Sequence, residues 1–291
     1  MHEQIQRIIR DMQGAGYTTH TSLATTLVLS EQLGRPILLE GEAGVGKTAV
    51  AQALAKTTNT ELIRLQCFEG IDASAAVYEW NYARQLLSIK LNENASEKLT
   101  ETDIFSEQYL LERPLLKSIT QERVTVLLID EVDRADEAFE AFLLEVLSDF
   151  SISIPELGTI RARSIPRVIL TSNGTRDLSD ALRRRCLYHY IDYPSFDKEL
   201  QILRSHLPDF DDQLLTQITR FVQKLREQDL RKRPGIAETL DWAQALCGLN
   251  IGNLPDHPDI IMATLSCLLK TRDDQEFLDD EQIEILLSAS A

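Results

Sequence analysis

The sequence predicts an α/β fold: a parallel sheet with helices on both faces, followed by a small all-helical domain. Three observations predict it. Short β-branched runs alternate with helical patterns through the first two-thirds of the chain, as in a parallel sheet whose crossovers are helices. One of these runs feeds a glycine-rich turn, Gly41–Thr48, from which a helical pattern starts. After Pro194 the strand-like runs stop and only helical stripes remain.

Taken in order, the apolar run Pro36–Glu40 is the first strand candidate and leads into the turn. An alanine-rich helix follows from Lys47 to about Lys56. Leu62–Gln66, Val124–Asp130, Val168–Ser172 and Tyr188–Asp192 are the other strand candidates. Tyr78, Trp80 and Tyr82 alternate, which in an extended segment puts them on one face. They either pack beneath the next segment or line a surface that engages substrate. Tyr82–Leu116 is charged, has a turn-like stretch at Asn92–Ser96, and reads as a short helical insertion. Asp136–Asp149 is a helix: Phe139, Phe142, Leu143, Val146, Leu147 and Phe150 recur at helical spacing, with Glu140 and Glu145 assigned to the other side. Beyond Pro194, Leu214, Ile218, Phe221, Val222 and Leu225 form another stripe, and Gly235–Leu249 and Asp259–Lys270 also read as helices. The chain therefore divides into residues 1–194, with the insertion at about 70–120, and residues 195–291. The acidic tail Asp273–Glu284 reads as a solvated helix face or a docking surface.

Composition narrows the function. The 291 residues carry 30 Lys and Arg against 46 Asp and Glu, a net charge of −16. Such a surface repels phosphate backbones and anionic lipid on average, which disfavours generic nucleic-acid or membrane binding. Cys67, Cys186, Cys247 and Cys267 form no CxxC pair and read as reduced thiols. Neither a secretory leader nor a membrane-length apolar run is visible, so the expected location is cytoplasmic.

Four motifs carry chemistry. Gly41-Glu42-Ala43-Gly44-Val45-Gly46-Lys47-Thr48 is a full GxxxxGK[ST]. Its glycines let backbone N–H groups turn toward phosphate, Lys47 supplies a mobile cation, and Thr48 offers a hydroxyl to Mg²⁺. The helix that follows directs its positive end at the same charge. The run Val124–Ile129 ends in Asp130 and Glu131, which places two carboxylates at the edge where ligands of open α/β sheets bind. Asp130 can hold Mg²⁺ directly or through water, and Glu131 can act on the attacking water as general base. Val168–Ser172 leads to Asn173, positioned to orient that water or report phosphate loss, or else simply to cap the turn at Gly174. Arg183, Arg184 and Arg185 close a helical pattern and can project a guanidinium into a neighbouring subunit's site, or form a solvated basic turn.

In this order the motifs resemble the AAA+ superfamily: Walker A, Walker B, sensor 1, arginine finger and helical lid. Within it the sequence is similar to the MoxR family, through RPILLEGEAGVGKT, LLIDEVDRADEAFEAFLLEVLSDF, SIPELGTIRA before VILTSN, and ALRRRCLYHYIDYP. The segments EGIDASAAVYEWNYARQLL and RKRPGIAETLDWAQAL resemble the branch associated with carbon-monoxide-dehydrogenase maturation. The resemblance implies a P-loop NTPase αβα sandwich with a five-stranded parallel sheet and a C-terminal helical lid. It also implies a ring, usually a hexamer, with ATP between subunits, and an insertion and a hairpin around Ile152–Ile160 on the ring's working surface. Family members act as chaperone-like remodellers that activate or load metal cofactors into partner enzymes, often with a von Willebrand factor A domain protein. By position, Gly44, Lys47 and Thr48 bind phosphate and Mg²⁺, Asp130 and Glu131 drive hydrolysis, Asn173 is sensor 1, and Arg184 or Arg185 is the finger. One departure stands out: Glu238 or Thr239 falls where the lid arginine is expected, leaving Arg231 or Arg233 to reach the site.

Two other accounts compete. A nucleic-acid-directed AAA+ NTPase conflicts with the charge of −16. A nucleotide-gated scaffold with little turnover is motivated by the missing lid arginine.

Overall fold

The structure is a computed structural model that describes residues 1–92 and 99–290. The chain divides into two compact units. The first comprises Met1–Asp11, Thr21–Glu40 and Thr48–Tyr190; the second comprises Met12–His20, Gly41–Lys47 and the chain from Ile191 onward.

All strands among the described residues lie in the first unit: β1 (Ile37–Glu40), β2 (Leu62–Gln66), β3 (Tyr78–Trp80), β4 (Leu110–Glu112), β5 (Val126–Asp130), β6 (Ser151–Ile154), β7 (Gly158–Arg161), β8 (Arg167–Ser172) and β9 (Leu187–Tyr190). Five of them form a sheet in the order β2-β5-β8-β1-β9, and every pairing in it is parallel. β5 is buried along its whole length, which is why its sequence is continuously apolar up to Asp130. Alternate residues Ile63 and Leu65, Leu127 and Ile129, Val168 and Leu170 belong to one core cluster. Leu115, Leu116 and Ile119 from the helix Pro114–Thr120 pack into it, as do Phe139, Leu143, Val146 and Leu147 from the helix Glu137–Asp149. The register pairs Gln66 with Asp130 and Glu40 with Ser172, so polar strand ends line up along one edge.

Glu140 does not face solvent as the periodicity assigned it. It is 1% exposed, ion-paired to Arg176, and accepts the Ser179 N–H at 2.9 Å. A carboxylate can occupy the buried face when its partners come from another segment, and helical spacing cannot see such partners. Tyr78 and Trp80 lie on β3 with their rings 6.1 Å apart, and Phe105 stacks edge-on against Trp80 at 5.2 Å. Tyr82 instead opens the helix Tyr82–Asn92 and is 61% exposed, so the three aromatics do not share a face. The turn expected at Asn92–Ser96 lies, beyond Asn92, outside the described residues. β6 and β7 form an antiparallel hairpin.

The second unit contains no strand among its described residues. Its helices include Phe196–His206, Asp212–Arg226, Ile236–Gly248 and Asp280–Ser288, packed around Phe221 and Trp242, whose rings lie 5.0 Å apart. Within this core Arg226 donates to both oxygens of Glu199, each at 2.6 Å, and its Nε donates to the Pro234 carbonyl at 2.7 Å. The expected Asp259–Lys270 helix is shorter, Pro258–Thr264, and continues into a 3₁₀ turn. Asp274 leaves the acidic tail's solvated face: it is 2% exposed and accepts the N–H groups of Arg231 and Lys232. No described helix is long and apolar enough to cross a membrane.

Candidate active site

The carboxyl end of β5 gathers most of the predicted residues of the first unit. Thr48, on the helix Lys47–Thr58, donates its hydroxyl to Asp130 Oδ1 at 3.2 Å. The same oxygen accepts the Thr171 hydroxyl at 2.5 Å. Asp130 is 3% exposed, and a carboxylate so buried needs such donors.

Glu131 adopts φ +55°, a left-handed conformation that is uncommon for a residue with a side chain. Its N–H is held by Thr171 Oγ1 at 2.9 Å, so one hydroxyl fixes both the aspartate and the backbone of the glutamate. The Glu131 carboxylate accepts Asn173 Nδ2 at 3.3 Å and Gln66 Nε2 at 3.0 Å, and pairs with Arg134 at 3.1 Å. Asn173 therefore touches the proposed base directly, rather than only capping a turn. Asp133 holds the loop that carries it, accepting the N–H groups of Asn173 and Thr175 and the Thr175 hydroxyl. Burial pushes the Asp133 carboxyl up, and the hydrogen bonds from Thr175 and Asn173 outweigh it, leaving the group below the usual carboxylate range. Cys67 reports the local field: burial, then the charges of Asp130, Asp133 and Glu131, push its thiol up to about 12.

In the second unit the glycine-rich segment turns through φ +78° at Gly44 and +94° at Gly46, a conformation in which other residues would be strained. Lys47 is folded onto its own loop, donating to the carbonyls of Gly41 and Glu42 at 2.7 Å each. Gly44 packs on Gly235 at the start of the helix Ile236–Gly248, and the Ile236 N–H donates to the Gly44 carbonyl at 3.0 Å. Glu238 accepts the Gly235 N–H at 3.0 Å, and Thr239 is buried against Glu199. Of the two arginines considered as substitutes, Arg231 pairs with Asp273 at 2.5 Å.

The arginine triplet is sorted by its contacts. Arg183 donates to Glu40 Oε2 at 3.1 Å, and Arg185 donates to the Leu144 carbonyl and the Ser148 hydroxyl. Arg184 is exposed, and its side chain has no partner among the described residues. Arg35 clips the end of this helix, donating to the carbonyls of Arg184, Arg185 and Cys186.

Sequence reasoning did not single out Arg64, Gln66, Asp133, Arg134 or Thr171. For Thr171 a signal existed, since its hydroxyl follows directly on the apolar run Val168–Leu170. Arg64 and Gln66 become visible only once the register pairs β2 with β5, and Asp133 only once the turn after β5 meets the loop after β8.

Residues 36–186, just over half of the chain, match the model of the AAA domain, dynein-related subfamily. The chain belongs to that family. Among relatives of this AAA protein, the gas vesicle ATPase GvpN of Haloferax mediterranei is 27% identical over 205 residues, 67% of this chain and 58% of its own. The chain thus spans a little over half the length of that relative. A protein of Staphylococcus saprophyticus is 26% identical over 226 residues, 75% of this chain and 78% of its own. Among solved structures, an ATPase candidate from Cytophaga hutchinsonii aligns with TM-score 0.51 at 17% identity, covering 99% of this chain and 94% of its own, which speaks for the fold alone. Membership in the AAA family carries nucleotide binding and, at the family level, ATPase activity.

Proposed function

We infer that the chain is a Mg-ATP-dependent AAA+ ATPase that hydrolyses ATP at sites shared between subunits of a ring, most simply a hexamer. The observation that carries this reading is the arrangement at the end of β5, where Asp130 is bonded to the Thr48 hydroxyl and Glu131 is held by Asn173. Thr48 and Asp130 are hard oxygen donors and suit Mg²⁺. Among the described residues no group of three His, Cys, Asp or Glu could hold a metal, so phosphate and water would complete the ion's shell. Bound there, Mg²⁺ neutralises charge on the phosphate oxygens. Glu131 accepts the proton of the attacking water, and Asn173 fixes the direction of that carboxylate. Gly41–Lys47 offers N–H groups and a lysine to the phosphates. Arg184, exposed and without a side-chain partner among the described residues, is the guanidinium suited to reach a neighbour's phosphate.

The broader role follows the MoxR-like segments: a chaperone-like remodeller in the cytoplasm, acting in maturation or metal-cofactor assembly of a partner enzyme, with a von Willebrand factor A domain protein. The likeness to a gas vesicle ATPase supports the hydrolytic part of this reading. A surface of net charge −16 suits protein clients better than nucleic acid.

The test is ATP turnover against protein concentration. Wild-type activity per subunit should rise as shared sites assemble. Glu131→Gln should bind ATP without hydrolysing it, and Arg184→Ala should bind ATP but lose turnover. Activity independent of both concentration and Arg184 would overturn the inter-subunit mechanism.

A further inference from the structure

Asp130 carries a cation of its own. Arg64 Nε and Nη2 both donate to Asp130 Oδ2, at 3.0 and 2.5 Å, while Thr171 and Thr48 occupy Oδ1. The two ends of this ion pair differ in environment: the Asp130 side chain is 5% exposed and that of Arg64 is 54% exposed. Arg64 therefore reaches in from solvent along β2 and is free to swing back out. Its Nη2 also donates to Gln66 Oε1 at 2.5 Å, and Gln66 in turn donates to Glu131. Residues 64 and 66 share the polar face of β2, so alternation along one strand sets a guanidinium beside the aspartate and an amide beside the glutamate.

Thr48 and Asp130 alone are a poor site for a free divalent ion, which would have to remove the guanidinium from Oδ2 before drawing on the carboxylate's full charge. We propose that Arg64 is a positioning residue that acts as the resident counter-cation of Asp130, yielding that carboxylate to Mg²⁺ only when nucleotide arrives with it. The proposal rests on the Mg-ATP reading above. Two effects follow from the geometry. Without metal, Arg64 cancels the negative charge that Asp130 would otherwise turn toward a triphosphate. With metal, Arg64 competes for Oδ2 and raises the Mg²⁺ concentration needed. Its link through Gln66 means that the pair holding Glu131 is disturbed when Arg64 departs.

The experiment measures binding of a fluorescent ATP analogue to the full chain, in EDTA and across a Mg²⁺ titration, without turnover as a readout. Arg64→Gln should bind the analogue more weakly than wild type in EDTA and reach half-saturation at lower Mg²⁺, each by about fivefold, the effect of one partly exposed ion pair. Arg64→Lys keeps the charge at one point and should stay near wild type in EDTA. An Arg64→Gln profile that matches wild type would overturn the proposal, and so would an Arg64→Lys profile that matches Arg64→Gln. Should Arg64→Gln fail to fold, the comparison of Arg64→Lys with Arg64→Met decides the point on the same terms. Failure of wild type to bind the analogue under any condition would remove the Mg-ATP reading and this proposal with it.

Discussion

Gly235→Ala should weaken nucleotide binding although position 235 imposes no backbone demand. Its φ is −85°, which alanine adopts freely, so the glycine is required for space alone. A Cβ there would lie 2.7 Å from Gly44 Cα and 2.8 Å from the Gly44 carbonyl carbon and oxygen. Ordinary contact begins at 3.4 Å, and the atoms met are backbone rather than the end of a flexible side chain, so the loop or the helix has to move. Movement of that size strains the 3.0 Å bond from the Ile236 N–H to the Gly44 carbonyl. Losing such a bond costs about 1 kcal/mol. Overpacking typically adds about 1–3 kcal/mol. If about 2 kcal/mol of this falls on the phosphate-binding conformation of Gly41–Lys47, affinity drops roughly 30-fold. Fluorescence anisotropy of an ATP analogue measures this, with thermal unfolding as a check on folding. Gly252→Ala is the control, since nothing lies within 4 Å of a Cβ there. A folded Gly235→Ala protein that binds nucleotide within twofold of wild type would refute the reasoning, because the Gly44 contact would then not govern the loop.

Two further outcomes are expected. Glu199→Ala strands the Arg226 guanidinium, 6% exposed, in the helical core. It should cost about 3–5 kcal/mol in urea unfolding, with much of that regained when Arg226→Met accompanies Glu199→Leu. Asp133 has a depressed carboxyl pKa, so its contribution to stability is present above the unfolded value of about 3.9 and is lost as pH falls through the lower folded value. Asp133→Asn should therefore melt earlier than wild type at pH 7, and the difference should shrink as pH falls through the lowered folded value; a gap that persists in acid would assign the loss to packing.

What the sequence disclosed divides by range. The strands at Ile37, Leu62, Val126, Arg167 and Leu187 were legible because alternation and apolar runs are local signals. So were the Gly41–Thr48 motif and the Asp130–Glu131 pair, whose chemistry is written in consecutive residues. Arg64, Thr171 and Arg176 were not, since each acts on a residue far away in sequence through a contact that only the folded unit supplies. Glu140 illustrates the same boundary from the other side: helical spacing placed it on the solvated face, and a distant arginine made the core habitable for it. For the triplet Arg183–Arg185 the resemblance left Arg184 or Arg185 as the finger, and only their contacts distinguish the exposed Arg184 from Arg183 and Arg185, which are engaged.

The attachment of the Arg183–Arg185 helix to β1 has a mechanical meaning. At one end of the strand Arg35 grips the carbonyls of residues 184–186, and at the other Glu40 holds Arg183. Two fasteners thus tie the helix to both ends of a four-residue strand. Gly41 follows Glu40 directly in the chain, so the fastener at Glu40 sits one residue before the glycine-rich segment begins. Under the proposal of shared sites, Arg184 then rides on a helix tied to the strand that precedes its own subunit's glycine-rich segment.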